Sequence, residues 1–483
     1  VVQSVILAID EGTTNAKAVV VDQKGTIIST GFAAVPIKHS QSGWVEQDAD
    51  EIWLATQKAI TSCLEDVSKI SIKGLGISNQ RESVLIWDRK TGKPLGPVIT
   101  WQCRRTAAAC ETLKKAGYEP MVIAKTGLPL DPMFPATKVT WLIENYGGNV
   151  TDICIGTVDS WLIWKFSGGT LHATDRSNAS RTQLFNLIQN QWDQELCELF
   201  SIDPTCLPEV HDSSHNFALT LGASVVPDGV PIASAIGDSH AALFGHGAFK
   251  NGDGKITFGT GSSIMTTIPR FATPPMGITT TIAWSLNGTS TYAFEGNILV
   301  SASIFPWLTK IMGLPSVDAL LELAKTVQDA EGVCLVPAHV GLGSPYWDTD
   351  ARGLLSGLSF NIEPAHIARA AADSLAHQVT DVYEIMVQTL ADIGQLFVDG
   401  GASSNQFLMQ LVANNLSRPV TPCLKTESSA LGAAHLAGLA TGFWTSLNEL
   451  AMLEAHGEPI FPQKTKLTRD DWRQAVARTT LHK

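Results

Sequence analysis

Apolar residues in the opening segment, VILAIDEGTTNAKAVVVDQKGTII, fall into two blocks parted by a Gly/Thr turn. The pattern predicts a strand ending at Asp10, a tight turn over 11–14, a second strand through 19–22, and a Lys24-Gly25 hairpin into a third. That is a meander and not a βαβ unit. Ile52, Trp53, Ala59 and Ile60 then recur at helical spacing within 49–64, and 72–78 is a continuous apolar run of strand length. Strands followed by a helix and a further strand make an α/β layer. The order returns in the second half. KITFGTGSSIMTTI (255–268) is β-rich and broken by a Gly-Thr-Gly turn, another β-rich stretch covers 278–293, helical spacing covers 364–390, and a strand at 395–398 ends in Asp399-Gly400-Gly401. The expected architecture is a duplicated α/β domain with a ligand between the copies. The glycine-rich FGHGAFKNG (244–252) marks the boundary, giving domains 1–247 and 248–483.

Length supports two cores. A chain of 483 residues is too long for one hydrophobic core and leaves room for a cleft between two. With 44% hydrophobic and 17% charged residues and no low-complexity tract, the composition is that of an ordered globular protein. The formal net charge of −12 argues against general nucleic-acid binding, which calls for a basic face. None of the eight cysteines forms a CxxC pair, so they read as buried thiols of a reducing compartment, and no apolar run is long enough for a membrane span. A cytoplasmic location, with no membrane partner, is the expectation.

Three turns carry candidate chemistry. DEGTT (10–14) presents backbone N–H groups and two hydroxyls beside a carboxylate, a combination suited to a phosphate chain and its Mg²⁺; a polar hairpin without function is the alternative for this turn taken alone. It is not the GxxxxGK[ST] loop. FGTGSS (258–263) follows the same logic, with glycines that admit a phosphate and Thr260 adding a hydroxyl. DGGASSN (399–405) follows a strand and precedes a helix, where small residues leave room for a purine ring and Asn405 can hydrogen-bond it. Together they favour a nucleotide cleft.

The succession of DEGTT, GWVEQD (43–48), ISNQRES (77–83), WQCRRT (101–106), GTVDSWLIWK (156–165), NASRT (178–182), GDSHAALFG (237–245), FGTG, GLGSPYWD (341–348), ARGLLSGL (351–358), VDGGASSN and ALGAAHLAGLATGFW (430–444) resembles the FGGY carbohydrate kinases, and among them the glycerol kinases. The resemblance runs from about residue 6 to 444 and includes both family signatures, at 133–145 and 353–373. It implies two actin-like, ribonuclease H-like ATPase domains, with the acceptor on the N-terminal side and ATP on the C-terminal side.

It also implies roles. Asp238 is the general base for the acceptor hydroxyl. Asp10 serves Mg²⁺, and Thr13, Thr14 and Lys17 serve the phosphates, Lys17 standing where glycerol kinases usually carry arginine and so lacking the bidentate fork. Thr260, Gly261, Gly401, Ala402 and Asn405 fall at the nucleotide; Ala302 and Pro306 replace a glycine and a glutamine near it. Arg81 and Glu82 match the pair that holds adjacent hydroxyls, and Trp101 an apolar wall.

Three pocket positions depart from the glycerol-kinase pattern: Met133, Ser239 and Ser263 replace tyrosine, glutamine and phenylalanine. Two of the changes put serine in place of a larger side chain, which suits a longer polyol or a ketose. His240 is either a new hydroxyl partner or a structural histidine. The leading expectation is phosphorylation of a terminal hydroxyl of glycerol or a longer polyol; a pentulose-type ketose kinase comes second, and a non-catalytic actin-like ATP-binding protein third. Family habit leads one to expect a homodimer or homotetramer.

Overall fold

The computed structural model describes residues 2–148, 152–390, 393–464 and 469–480. Its N-terminal sheet contains β1 (Gln3–Glu11), β2 (Asn15–Val21), β3 (Ile27–Ala34), β4 (Ile70–Asn79), β5 (Ser214–Leu219) and β6 (Pro231–Gly237), in the order β5-β6-β4-β1-β2-β3. β1–β2–β3 is the antiparallel meander that the apolar blocks predict, while β4 and β6 run parallel to β1. β1 and β2 are buried on both faces, which is why they read as near-continuous apolar runs.

The second sheet contains β7 (Gly254–Phe258), β8 (Ser262–Ile268), β9 (Thr279–Leu286), β10 (Thr289–Ile298), β11 (Leu396–Asp399) and β12 (Thr421–Pro422), in the order β9-β10-β8-β7-β11-β12. β7 pairs antiparallel with β8, β8 antiparallel with β10, and β11 and β12 run parallel to β7. The meander-plus-parallel arrangement is therefore repeated, with β7 in the place of β1 and β11 in the place of β4. The stretch expected as one β-rich segment is a hairpin of two strands, turned at Asn287 and Gly288.

Four helices matter for the site. α1 (Ala49–Glu65) begins at Asp48, whose carboxylate accepts from the amides of Asp50 and Glu51, and buries Ile52, Ala55, Ala59, Ile60 and Cys63. α2 (Asp238–Gly245) continues from β6, α3 is Pro364–Val387, and α4 (Ser428–Thr441) follows the second sheet. α2 and α4 trade partners between the halves. α4 lies on the N-terminal sheet, where Ser234 Oγ of β6 donates to Ala433 O at 2.7 Å. α2 reaches the C-terminal sheet, with the Phe244 ring 5.2 Å from Trp284 of β9. The helices touch backbone to backbone: a Cβ on Gly432 would sit 1.9 Å from Ala241 O, and one on Gly245 would sit 2.3 Å from Ser428 O. Only glycine permits that approach.

As a result one apolar cluster joins Ile6, Val19 and Ile236 to Met265, Trp284 and Phe397 across the halves. The chain between β4 and β5 supplies three strands of a smaller four-stranded sheet, the fourth being Glu46–Gln47, and the helix Pro135–Tyr146; it also carries Trp101 to Thr13 and Arg181 to Glu295. All eight cysteines are free thiols, seven of them buried. Among the described residues no helix is long and apolar enough to cross a membrane.

Candidate active site

β1, β4 and β6 are parallel neighbours that end at one edge, where open α/β sheets bind their ligands. Register sets Asp10, at the end of β1, beside Ser78, and Asn79 beside Gly237, so the chain leaves β4 and β6 directly toward Arg81 and Asp238. The C-terminal sheet faces this edge with Lys255, Ser263 and Asp399. Between them lies a cleft of about 1190 Å³ lined from both halves.

The carboxylates are the acidic centre. Asp238 Oδ1 accepts from Arg81 Nε at 3.1 Å and from the Ser239 amide at 2.6 Å. Burial raises its pKa, against the pull of Arg81. Asp10, held by Ser78 Oγ at 2.8 Å, is pushed up to about 6 by burial and then by the charge of Asp238. Two hard carboxylates that each raise the other's need for positive charge fit a Mg²⁺ ion brought in with phosphates. Among the described residues no group of three or more His, Cys, Asp or Glu forms a metal cage. Lys17 Nζ meets Glu427 Oε2 across the cleft at 2.7 Å.

Behind Asp238 runs a chain of alternating charge. Arg81 forks onto Glu295, with Nη1 3.0 Å from Oε2 and Nη2 2.8 Å from Oε1. Arg181 Nη1 lies 2.9 Å from the same Glu295 Oε2, and Arg181 Nε donates to Glu82 Oε1 at 2.6 Å. Glu295 is fully buried, and although burial alone would raise its pKa, the two guanidiniums hold it well below the usual carboxylate range. Glu82 has φ +61°, a left-handed conformation unusual for a residue with a side chain.

Two of the three pocket departures, Ser239 and Ser263, meet each other. Ser239 Oγ on α2 lies 3.0 Å from Ser263 Oγ on β8, and Lys255 Nζ donates to Ser239 Oγ at 3.0 Å and to Thr257 Oγ1 at 2.8 Å. Lys255 is 2% exposed, and burial lowers its pKa. Trp101 Nε1 donates to Thr13 Oγ1 at 3.0 Å, which ties Trp101 to the first turn. Met133 is half-buried. His240 does not line the cleft: it is fully buried, and its Nε2 lies 3.0 Å from Thr281 Oγ1.

In the C-terminal half Gly401, Ser403 and Ser404 line the cleft, with Ala402 half-buried beside them. Asn405 Oδ1 caps the helix Gln406–Leu416 by accepting from the Leu408 amide at 3.1 Å, which leaves its NH₂ for a ligand. The Thr260 carbonyl accepts from Ser303 Oγ at 2.8 Å, and the Ala302 amide donates to Gly259 O at 3.1 Å, so these residues shape one turn. A Cβ on Gly261 would lie 2.3 Å from Ile298 O. Thr14 is exposed at the first turn.

Several charged residues of the site carry no assigned role in the sequence: Arg181, Lys255, Glu295 and Glu427, and Asp399, Lys425 and Glu458 on the cleft lining. NASRT and KITFGTG contain the first two. The signal for Glu295 is a single acid inside the otherwise apolar and neutral strand TYAFEGNI.

Residues 5–245 match the N-terminal domain of the FGGY family of carbohydrate kinases, and residues 254–441 its C-terminal domain. The chain is 46% identical over 489 residues to an apulose kinase of Pectobacterium atrosepticum, covering 99% of this chain and 98% of that one. The crystal structure of Plasmodium falciparum glycerol kinase with ADP superimposes with a TM-score of 0.94 at 30% identity, covering 99% and 98% of the two chains. A ligand-bound xylulose kinase from Lactobacillus acidophilus shares the fold, with a TM-score of 0.88 at 21% identity over 99% and 97%. The chain belongs to the FGGY family of carbohydrate kinases and is an ATP-dependent carbohydrate kinase.

Proposed function

We propose that the acceptor is a small ketose of the apulose type, phosphorylated on a terminal hydroxyl by direct in-line transfer. Asp238 takes the hydroxyl proton, the freed oxygen attacks the γ-phosphorus of ATP, and the bond from that phosphorus to the bridging oxygen breaks to release ADP. Arg81 and Glu82 hold acceptor hydroxyls and Trp101 covers the carbon chain. Asp10 serves Mg²⁺, which neutralises phosphate charge when bound, and Thr13, Thr14 and Lys17 serve the phosphate chain. Thr260, Gly261, Ala302, Gly401, Ala402 and Asn405 hold the nucleotide. Residues 1–247 thus carry most of the acceptor site and 248–483 most of the nucleotide site.

The observation that carries the choice of acceptor is the Ser239–Ser263–Lys255 cluster. Where glycerol kinases present glutamine and phenylalanine, this wall offers two hydroxyls backed by a buried ammonium. Such a wall donates hydrogen bonds to a carbonyl or to extra hydroxyls, and it leaves unpaired polar groups if the acceptor lacks them. The apulose kinase relative supports the same direction. Glycerol or a longer polyol is the second reading, favoured by the likeness to a glycerol kinase. ADP release with MgATP, measured against apulose, pentuloses, erythritol and glycerol, separates them. The expected result is a kcat/KM for a ketose at least about 10-fold above that for glycerol; glycerol at the top of the ranking overturns the proposal.

A further inference from the structure

We infer that Glu295, contributed by β10 of the C-terminal half, is a positioning residue for the acceptor site, acting by fixing the fork of Arg81. The inference rests on the proposed role of Arg81 as an acceptor ligand. An arginine has five N–H donors. In Arg81, Nε donates to Asp238 at 3.1 Å and Nη1 donates to Glu295 Oε2 at 3.0 Å, while Nη2 stands 2.8 Å from Glu295 Oε1 as an ion-pair contact outside hydrogen-bond geometry. The remaining N–H groups are left for a ligand, and the guanidinium plane that carries them is held at one end by Asp238 and at the other by the charge of Glu295.

Glu295 is itself held. It is fully buried, β10 pairs it with Met265 on β8 and Thr279 on β9, and Arg181 Nη1 grips the Oε2 that Arg81 also uses. Arg181 in turn anchors Glu82, the other proposed acceptor ligand, so one carboxylate fixes both members of the pair. Without that carboxylate, Arg81 has Asp238 as its remaining bonded anion. The guanidinium would rotate onto the base, withdrawing its free N–H groups from the acceptor and tying up the oxygen that must take the proton. Because the acceptor pair lies in the N-terminal half and Glu295 in the C-terminal half, the acceptor site is complete only when the halves meet.

The test is a double-mutant cycle of Glu295→Gln and Arg81→Lys, read as separate KM values for acceptor and ATP and as kcat. Glu295→Gln is expected to raise the acceptor KM and lower kcat, together costing about 10- to 100-fold in kcat/KM for the acceptor, with the ATP KM within about 2-fold of wild type. In the Arg81→Lys background, where no fork exists to be fixed, adding Glu295→Gln is expected to cost less than about 3-fold. Full additivity of the two losses, or equal loss on both KM values, overturns the inference and leaves Glu295 a fold residue. If Arg81→Lys alone leaves the acceptor KM unchanged, the Arg81 assignment fails; if it raises that KM while Glu295→Gln does not, only the role of Glu295 fails. Should Glu295→Gln not fold, because two buried guanidiniums lose their partner, Glu295→Asp keeps the charge but shortens the reach. It is expected to show the same selective rise in acceptor KM, absorbed in the same way by Arg81→Lys, and an unchanged acceptor KM overturns the inference.

Discussion

The turn from β1 to β2 carries Asp10, Glu11, Thr13 and Thr14, whereas the equivalent turn from β7 to β8 carries Phe258, Gly259, Thr260 and Gly261. Both join the first two strands of the same repeated meander. In the N-terminal copy the strand end supplies carboxylates, and the neighbouring strand ends add Arg81 and Asp238, so this half concentrates charge at its edge of the cleft. In the C-terminal copy the strand ends in a buried phenylalanine and the turn in glycines, so this half offers backbone and open space. One topology therefore serves two physical tasks, electrostatic stabilisation and close backbone approach. The division is incomplete where the halves lend each other a charge: Glu295 reaches Arg81, Lys255 reaches Ser239, and Lys17 pairs with Glu427.

Removing the central carboxylate breaks the charged half outright. Asp238→Asn is expected to lower kcat by about 10³-fold or more while the ATP Kd, from equilibrium titration, stays within about 3-fold. Lys17→Met comes next, with an expected loss of about 10- to 100-fold in kcat in steady-state assays because a cation at the phosphates disappears. The acid side of the pH profile sharpens the same point. In the proposed mechanism Asp238 must be ionised to take the proton and Asp10 to bind the metal, and burial raises both. The kcat/KM profile is expected to fall as pH drops through about 6, well above the range of an ordinary carboxylate.

Effects across the cleft are smaller. Glu427→Gln frees Lys17 for phosphate and is expected to lower the ATP KM by about 2- to 5-fold, since a partly exposed ion pair competes only weakly. The smallest effect is on stability. A carboxylate whose folded pKa is raised destabilises the ligand-free fold above that pKa, and the cost fades as pH falls toward the unfolded value. Asp10→Asn is therefore expected to stabilise the ligand-free protein at pH 7.5 by about 1 kcal/mol, with the gain vanishing near pH 4 in denaturant titrations.

Local order made much of this visible in the sequence. The meander, α1 and the strand ending at Asp399 follow from apolar periodicity and turn residues; Asp10 lies at the end of β1, and Arg81 and Asp238 follow the ends of β4 and β6. Glu295 and Lys255 were not legible as site residues, because each lies within a strand of the other half and comes to the acceptor only through the packing of α2 and α4 between the sheets. His240 shows the converse. It follows Ser239 directly, yet on a helix adjacent residues face about 100° apart, and it is buried against Thr281 while Ser239 lines the cleft.

The most direct test of the acceptor wall is to convert Met133, Ser239 and Ser263 together to Tyr, Gln and Phe and to compare kcat/KM for apulose and glycerol in both proteins. The predicted result is a crossing, in which the variant gains about 10-fold on glycerol relative to the ketose. An unchanged ranking, with the variant folded and its ATP KM intact, would contradict the claim that this wall chooses the acceptor.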